Sequence, residues 1–211
     1  MHQDGEINQG FKYQLGIGFN TLNSTIRFDD EAESEFDIKM NTVSVSGGIP
    51  LGERGTMNLV VGVILNGELK SETDPYYDIK PGGFASIVFE YSALTGKKFK
   101  PYIDCSLVLG GSMAETENTD DKSKIDYMSS DARLGVRSSW NINNRVFPFA
   151  AIRAFGGPVM WEIKGEDVIG SDIYHYQVAI GSAMQLGPTI AYFEWAGLGE
   201  QSLKTGLSFV W

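Results

Sequence analysis

Residues 11–19 read Phe11-Lys12-Tyr13-Gln14-Leu15-Gly16-Ile17-Gly18-Phe19. Every odd position is apolar, and every even position is polar or glycine. A helix would space its apolar residues by three and four. A strand, whose side chains alternate between two faces, spaces them by two. The stretch therefore predicts a β-strand with one apolar face. The same period returns along the chain: in Met57, Leu59, Val61, Val63 and Leu65, in Ala85, Ile87, Phe89 and Tyr91, and in Ile103, Cys105, Leu107 and Leu109. Leu134, Val136, Trp140 and Ile142 continue it, followed by Tyr174, Tyr176, Val178, Ile180 and Met184, and finally by Leu203, Leu207, Phe209 and Trp211.

Three segments are less regular. The apolar phase changes between Met40 and Val43, which predicts a bulge in 37–49. Segments 145–155 and 189–195 carry apolar residues on both faces, and Pro148 is awkward inside a paired strand. An all-β antiparallel up-and-down barrel of about ten strands is expected, with eight as the alternative, since such barrels have even strand numbers. The runs are near the ~9–11 residues that cross a bilayer at a tilt.

Composition allows this reading and excludes others. Mean hydropathy is -0.14, and no stretch approaches the ~20 apolar residues of a membrane helix. Alternating strands average out to such a value even when one face meets lipid. A single cysteine, Cys105, permits no intrachain disulfide. Net charge is -10 without a basic face, so no nucleic-acid partner is expected. Met1–Gly10 lacks the basic start and apolar core of a signal peptide. Residues 1–10 are expected to be a disordered or tag-bearing start, and 11–211 a single transmembrane barrel.

The connections alternate in length. Those at 20–35, 66–81, 113–126 and 157–172 are long. Those at 50–55, 94–98, 143–145 and 186–188 are short, and the last, 197–201, is short although it falls at the long end. Outer-membrane barrels place long loops outside and short turns in the periplasm. Twenty of the 27 acids, from Asp29 to Glu200, lie in or beside the long-loop end. The molecule should be electrically polarised along its axis. Tyr76, Tyr77 and Trp161 are expected at the loop surface, where they would suit contact with a protein partner.

The chain ends Leu203-Lys204-Thr205-Gly206-Leu207-Ser208-Phe209-Val210-Trp211. A terminal aromatic with apolar residues two, four and eight places before it resembles the C-terminal signal of bacterial outer-membrane β-barrel proteins. Thr205 and the terminal Trp, where Phe is commoner, depart from that pattern. The resemblance implies an outer-membrane location, contact with membrane lipid and lipopolysaccharide, and recognition of Leu203, Leu207, Phe209 and Trp211 by the assembly machinery.

In such a barrel the apolar set faces lipid and the polar set faces the lumen, which side chains of a small ring can largely fill. The inward set should include Glu90, Asp104, Asp131, Arg133, Arg137, Arg153, Gln177, Glu194 and Lys204. Buried charges must be paired, so Arg133, Arg137 or Arg153 is expected to pair with Glu90, Asp104 or Glu194. Interfacial aromatic girdles are expected to draw on Phe11, Phe19, Tyr91, Phe99, Tyr127, Trp140, Tyr174, Phe193 and Trp211.

No catalytic constellation stands out. His175 has no nucleophile at the spacing that outer-membrane proteases, deacylases or phospholipases use, and hydrolysis through it is the minor alternative. No cofactor is expected. The run Asp29, Asp30, Glu31, Glu33 and Glu35 could hold Ca²⁺ or Mg²⁺, but it lacks the order of a calcium loop. The expected function is a structural, adhesive or partner-binding role through acidic outer loops on a plugged barrel. The alternatives are a narrow channel for small solutes, an outer-membrane hydrolase, and a soluble lipocalin-like binder of apolar ligands.

Overall fold

The computed structural model describes residues 13–29, 34–71, 76–96, 100–163 and 165–211, and among them it contains β-strands and no helix. The strands are β1 (Gln14–Phe28), β2 (Glu35–Leu51), β3 (Gly55–Lys70), β4 (Tyr77–Ile79), β5 (Gly82–Leu94), β6 (Tyr102–Asn118), β7 (Lys124–Ser139), β8 (Val146–Gly156), β9 (Val159–Ile163), β10 (Glu166–Asp172), β11 (Tyr176–Leu186), β12 (Thr189–Gly199) and β13 (Gln201–Val210). All pairings are antiparallel, and β13 pairs with β1 to close the sheet. Among the described residues closure leaves no edge strand, which a bilayer requires because hydrocarbon cannot satisfy free backbone groups.

Three staves are each interrupted once, so the thirteen strands make ten staves. β4 and β5 are divided by Lys80-Pro81, β8 and β9 by Gly157-Pro158, and β10 and β11 by 173–175. Proline cannot donate to a ladder, which explains the first two breaks. Gly157 is needed at the second: a Cβ there would lie 1.8 Å from the Ser130 carbonyl oxygen on β7.

The ring has two strand numbers at two levels. Through the apolar belt it runs β1-β2-β3-β5-β6-β7-β8-β11-β12-β13, ten staves. The β12–β13 hairpin ends early, at Gly199 (φ +69 is found at Gly52, +73 here). Beyond it β10 pairs directly with β1, Ile26 opposite Asp172 and Phe28 opposite Gly170. The outer ring is then β1-β2-β3-β4-β6-β7-β9-β10, which is eight-stranded.

The expected long loops are largely strand. β1, β2, β3, β6 and β7 are 15–17 residues long, well past the bilayer requirement. Along each, the apolar face changes sides. In β1, Leu15, Ile17 and Phe19 point outward and are exposed, whereas Ile26 and Phe28 point inward and are buried. In β2, Phe36, Ile38 and Met40 point in, and Val45 and Ile49 point out. The phase change near Met40 is therefore no bulge in β2, whose pairing with β1 runs unbroken from Glu35 to Gly48. It marks the strand leaving lipid for water, where the solvent inverts the inside-out rule. A register shift does occur at this level, but its extra residue is Leu65 of β3, between partners Asn66 and Ile64.

The outer ring has its own apolar core. Trp161 stacks edge-on against Phe36 and Tyr77 at centroid distances of 5.0 and 4.7 Å, and Phe28 lies 5.4 Å away. Leu69, Ile79, Tyr127, Val168 and others complete it. Trp161 Nε1 donates to Thr116 Oγ1 at 2.9 Å, so the buried indole is satisfied. Trp161 and Tyr77, expected at the loop surface, are thus core residues. Tyr127, a girdle candidate, is buried here too. Phe19, Tyr91, Trp140, Tyr174, Phe193 and Trp211 are exposed on the outer wall. The other two candidates, Phe11 and Phe99, lie outside the described residues, as do residues 1–12.

Candidate functional site

Inward residues at the level of the belt form the candidate site. Three ion-pair groups occupy it. Nearest the short turns, Arg137 on β7 reaches Asp104 on β6 at 3.1 Å and Glu90 on β5 at 3.7 Å, and Ser92 donates to Asp104 at 2.8 Å. Cross-strand register places these side chains together: Asp104 is opposite Arg137 and Ser92 is opposite Asp104.

The second group joins Arg153 on β8 to Glu194 on β12 by two hydrogen bonds of 2.9 and 2.6 Å. Lys204 on β13, directly opposite Glu194, comes to 3.8 Å of it. Both members of the Arg153–Glu194 pair are largely buried, so their attraction is little screened. In the third group both terminal nitrogens of Arg133 on β7 bind the Glu200 carboxylate, and its Nε lies 3.7 Å from Asp131. Gln177 on β11, fully buried, connects the second and third groups. It accepts from Arg153 at 2.6 Å, and donates to Glu200 Oε1 at 2.8 Å and Ser202 Oγ at 3.1 Å.

Sequence reasoning named Glu90, Asp104, Asp131, Arg133, Arg137, Arg153 and Glu194, and the structure brings all seven to the lumen. It missed Glu200, which was grouped with the outer acids. Glu200 is 4% exposed at the tip of the β12–β13 hairpin. Its signal is the brevity of that connection at the long-loop end: a tip that short stays level with the lumen. Leu203, Leu207, Phe209 and Trp211 are exposed on the outer wall, and Val210 is buried inside.

Between these groups and the aromatic core lies a cavity of about 440 Å³. Its lining includes Leu22, Ile38, Met40, Ile64 and Phe84 toward the core, and Arg133, Arg153, Glu200 and Lys204 toward the ion pairs.

His175 sits at the β10–β11 break with φ +20, and its carbonyl accepts from the Phe155 amide at 3.0 Å. Among the described residues no hydrogen bond joins its imidazole to a hydroxyl. Of the acidic run considered for a cation, Asp30, Glu31 and Glu33 lie outside the described residues. Among those described, no group of three or more metal-ligating side chains gathers. On the outer wall of the extension, Glu68 accepts from Tyr76 Oη at 2.8 Å. That bond, then Lys70, holds the Glu68 carboxyl below its usual range. Burial, then the same bond, pushes the Tyr76 phenol up to about 12. Burial likewise raises Asp172, which accepts from Ser24.

No protein-family model matches the sequence, and no curated protein matches it. In fold the chain is similar to the translocator domain of the autotransporter NalP from Neisseria meningitidis. The two share 12% identity and a TM-score of 0.51 over 98% of this chain and 91% of that one. It is also similar to the outer membrane protein OprG from Pseudomonas aeruginosa, with 11% identity and a TM-score of 0.49 over 95% of this chain and 96% of that one. At such identities the likeness is one of fold, that of an outer-membrane β-barrel.

Proposed function

We propose that this chain serves in the bacterial outer membrane as a closed barrel whose eight-stranded extension is a rigid acidic platform for partners at the cell surface. The observation carrying this reading is the aromatic core of Trp161, Phe28, Phe36 and Tyr77. It packs across the outer mouth, where an open pore would be wet.

The outer wall supplies the contact surface. Just past the apolar belt, Glu115 stands opposite Asp126, with Lys124 2.7 Å from the Glu115 carboxylate, and Glu162 stands opposite Asp167. Like charges directly opposed are unfavourable unless a cation or basic partner offsets them. Lipopolysaccharide bridged by Ca²⁺ or Mg²⁺, or a basic protein surface, fits that chemistry. The role is non-enzymatic, and the lipid-facing Leu203, Leu207, Phe209 and Trp211 serve as the assembly signal.

Planar-bilayer conductance tests the closed reading. Purified, refolded protein should give no large, steady channel. Stable large openings from the unmodified chain would replace it with the solute-channel reading, and loss of a hydrolytic activity in a His175→Ala variant would replace it with an enzyme.

A further inference from the structure

The interior cavity is two-sided in a way that structural filling does not require. Five staves around a ten-stave ring is directly across. β13 therefore faces β6, and β12 faces β5. On β5 and β6 the lining presents Phe84, Val88 and Val108, with the small Ser86 and Ser112 beside them. On β12 and β13 the lining is polar, Tyr192 and Lys204, and Asn20 on β1 adjoins Lys204 at the same level, with Leu22 and Ile26 further out.

Those three polar groups are unusual in having little to bind. Lys204 Nζ has three donors, and its one partner among the described residues is Glu194 at 3.8 Å, beyond hydrogen-bond length. The Glu194 carboxylate is already held by two bonds from Arg153. Tyr192 Oη makes no hydrogen bond to the described residues. It reaches over Gly206 and Gly18, where an added Cβ would lie 2.7 and 2.8 Å from it. Asn20, directly opposite Lys204 in register, has a buried side-chain oxygen without a partner. Buried polar groups are nearly always satisfied, so such a cluster calls for an occupant.

We propose that this cavity binds a small amphiphile with a carboxylate head. The head accepts hydrogen bonds from Lys204 Nζ and Tyr192 Oη, and the apolar body lies against Phe84, Val88 and Val108. The volume is within the ~300–1,000 Å³ of ligand pockets, with the mostly apolar lining and few convergent polar groups that such pockets have. The Arg133–Glu200 and Arg153–Glu194 pairs are mutually neutralised, and the other carboxylates of the lining, Asp131 beside Arg133 and Asp172 bonded to Ser24, have partners of their own, which leaves the Lys204 ammonium to meet the head.

The test uses decanoate, carbon-13 labelled at the carboxyl, and the full chain refolded from urea in its presence into lipid nanodiscs. Refolding with the probe removes any question of entry into a closed interior. One equivalent of decanoate per barrel should survive removal of free probe, with a carboxyl resonance distinct from that in empty nanodiscs. Lys204→Met, which keeps the length of the side chain, should weaken retention about tenfold, the loss of one charge-assisted bond. It should leave retention of decanol unchanged. Tyr192→Phe should give a smaller loss in the same direction and serves if the lysine variant does not fold. Decanoate in protein nanodiscs no more than in empty ones would overturn the proposal, as would equal retention by Lys204→Met and Tyr192→Phe.

Discussion

Arg133 and Glu200 meet end to end inside the barrel, two parallel hydrogen bonds of 2.7 and 3.0 Å joining β7 to the tip of the β12–β13 hairpin across the lumen. They are 67 residues apart in sequence, and in the ring β7 is three staves from β12 and four from β13. The pair fastens the shortest outer hairpin just below the place where β10 crosses to β1, a seam of three residue pairs. It therefore lies where the ten-stave and eight-stave rings join.

Removing one partner leaves the other buried and uncompensated, which costs on the order of 3–5 kcal/mol. Glu200→Ala should lower the temperature at which the folded band disappears in unboiled gels. Arg133→Met combined with Glu200→Met removes both charges and should recover much of that loss. A double variant as unstable as the sum of the singles would show that the two residues act independently.

The belt was legible in sequence because lipid on one side and a polar lumen on the other impose a two-residue period, as in Phe11–Phe19. The extension was not legible. Once β1 passes Phe19, water replaces lipid outside and the apolar side chains move in, so Ile26 and Phe28 break the alternation without breaking the strand. The same inversion made Met40 and Val43 read as a bulge and Trp161 as a loop residue. Glu200 was missed because its chain neighbours resemble a loop, while its partners come from β7 and β11, which no local pattern connects. Arg137 and Asp104 were easier, since both lie at inward positions of strands whose period was clear.

The extension should unfold without the belt. Trp161 is 3% exposed and touches three other rings. Trp161→Ala removes those contacts and leaves a cavity, costing about 3–5 kcal/mol. The loss should fall on the eight-stranded part alone. Proteolysis of intact vesicles should cut the variant faster at the β9–β10 hairpin, and the surviving fragment should still shift on heating. Loss of the heat shift itself would mean that belt and extension fold as one unit.

Glu68 and Tyr76 give the extension a pH dependence of two opposite signs. The Glu68 carboxyl is lowered when folded, by Tyr76 first and then by Lys70. Its contribution is complete above the unfolded carboxyl value and is lost as pH falls through the folded one. The Tyr76 phenol is raised to about 12. Its contribution is complete below the unfolded value of ~10 and is lost as pH rises through the folded one. Both groups are near the surface, so each effect should stay below about 1 kcal/mol. Ultraviolet titration of tyrosine should show Tyr76 among the late-ionising phenols, and Tyr76→Phe should lower the late absorbance change by one tyrosine while leaving that of the buried Tyr127 in place. The variant should also bring acid loss of stability to higher pH.

The position of the belt makes the sharpest contrast. Leu134 is 63% exposed on the outer wall of β7, and Val136 and Ala132 flank it on the same face. Thr21, on the same face of β1 as Phe19 and two residues beyond it, donates to Asn41, which donates to Asn66. These three polar side chains form one row at the outer margin of the apolar band. An arginine at the middle of a lipid-facing band costs about 2–4 kcal/mol, and one near its margin about 0–1. Leu134→Arg should therefore reduce the folded fraction in bilayers sharply, while Thr21→Arg should leave it nearly unchanged. In a water-soluble barrel both substitutions would be on a wet surface, and Leu134→Arg would improve solubility. Equal folding of the two variants in bilayers would remove lipid from the account of this surface.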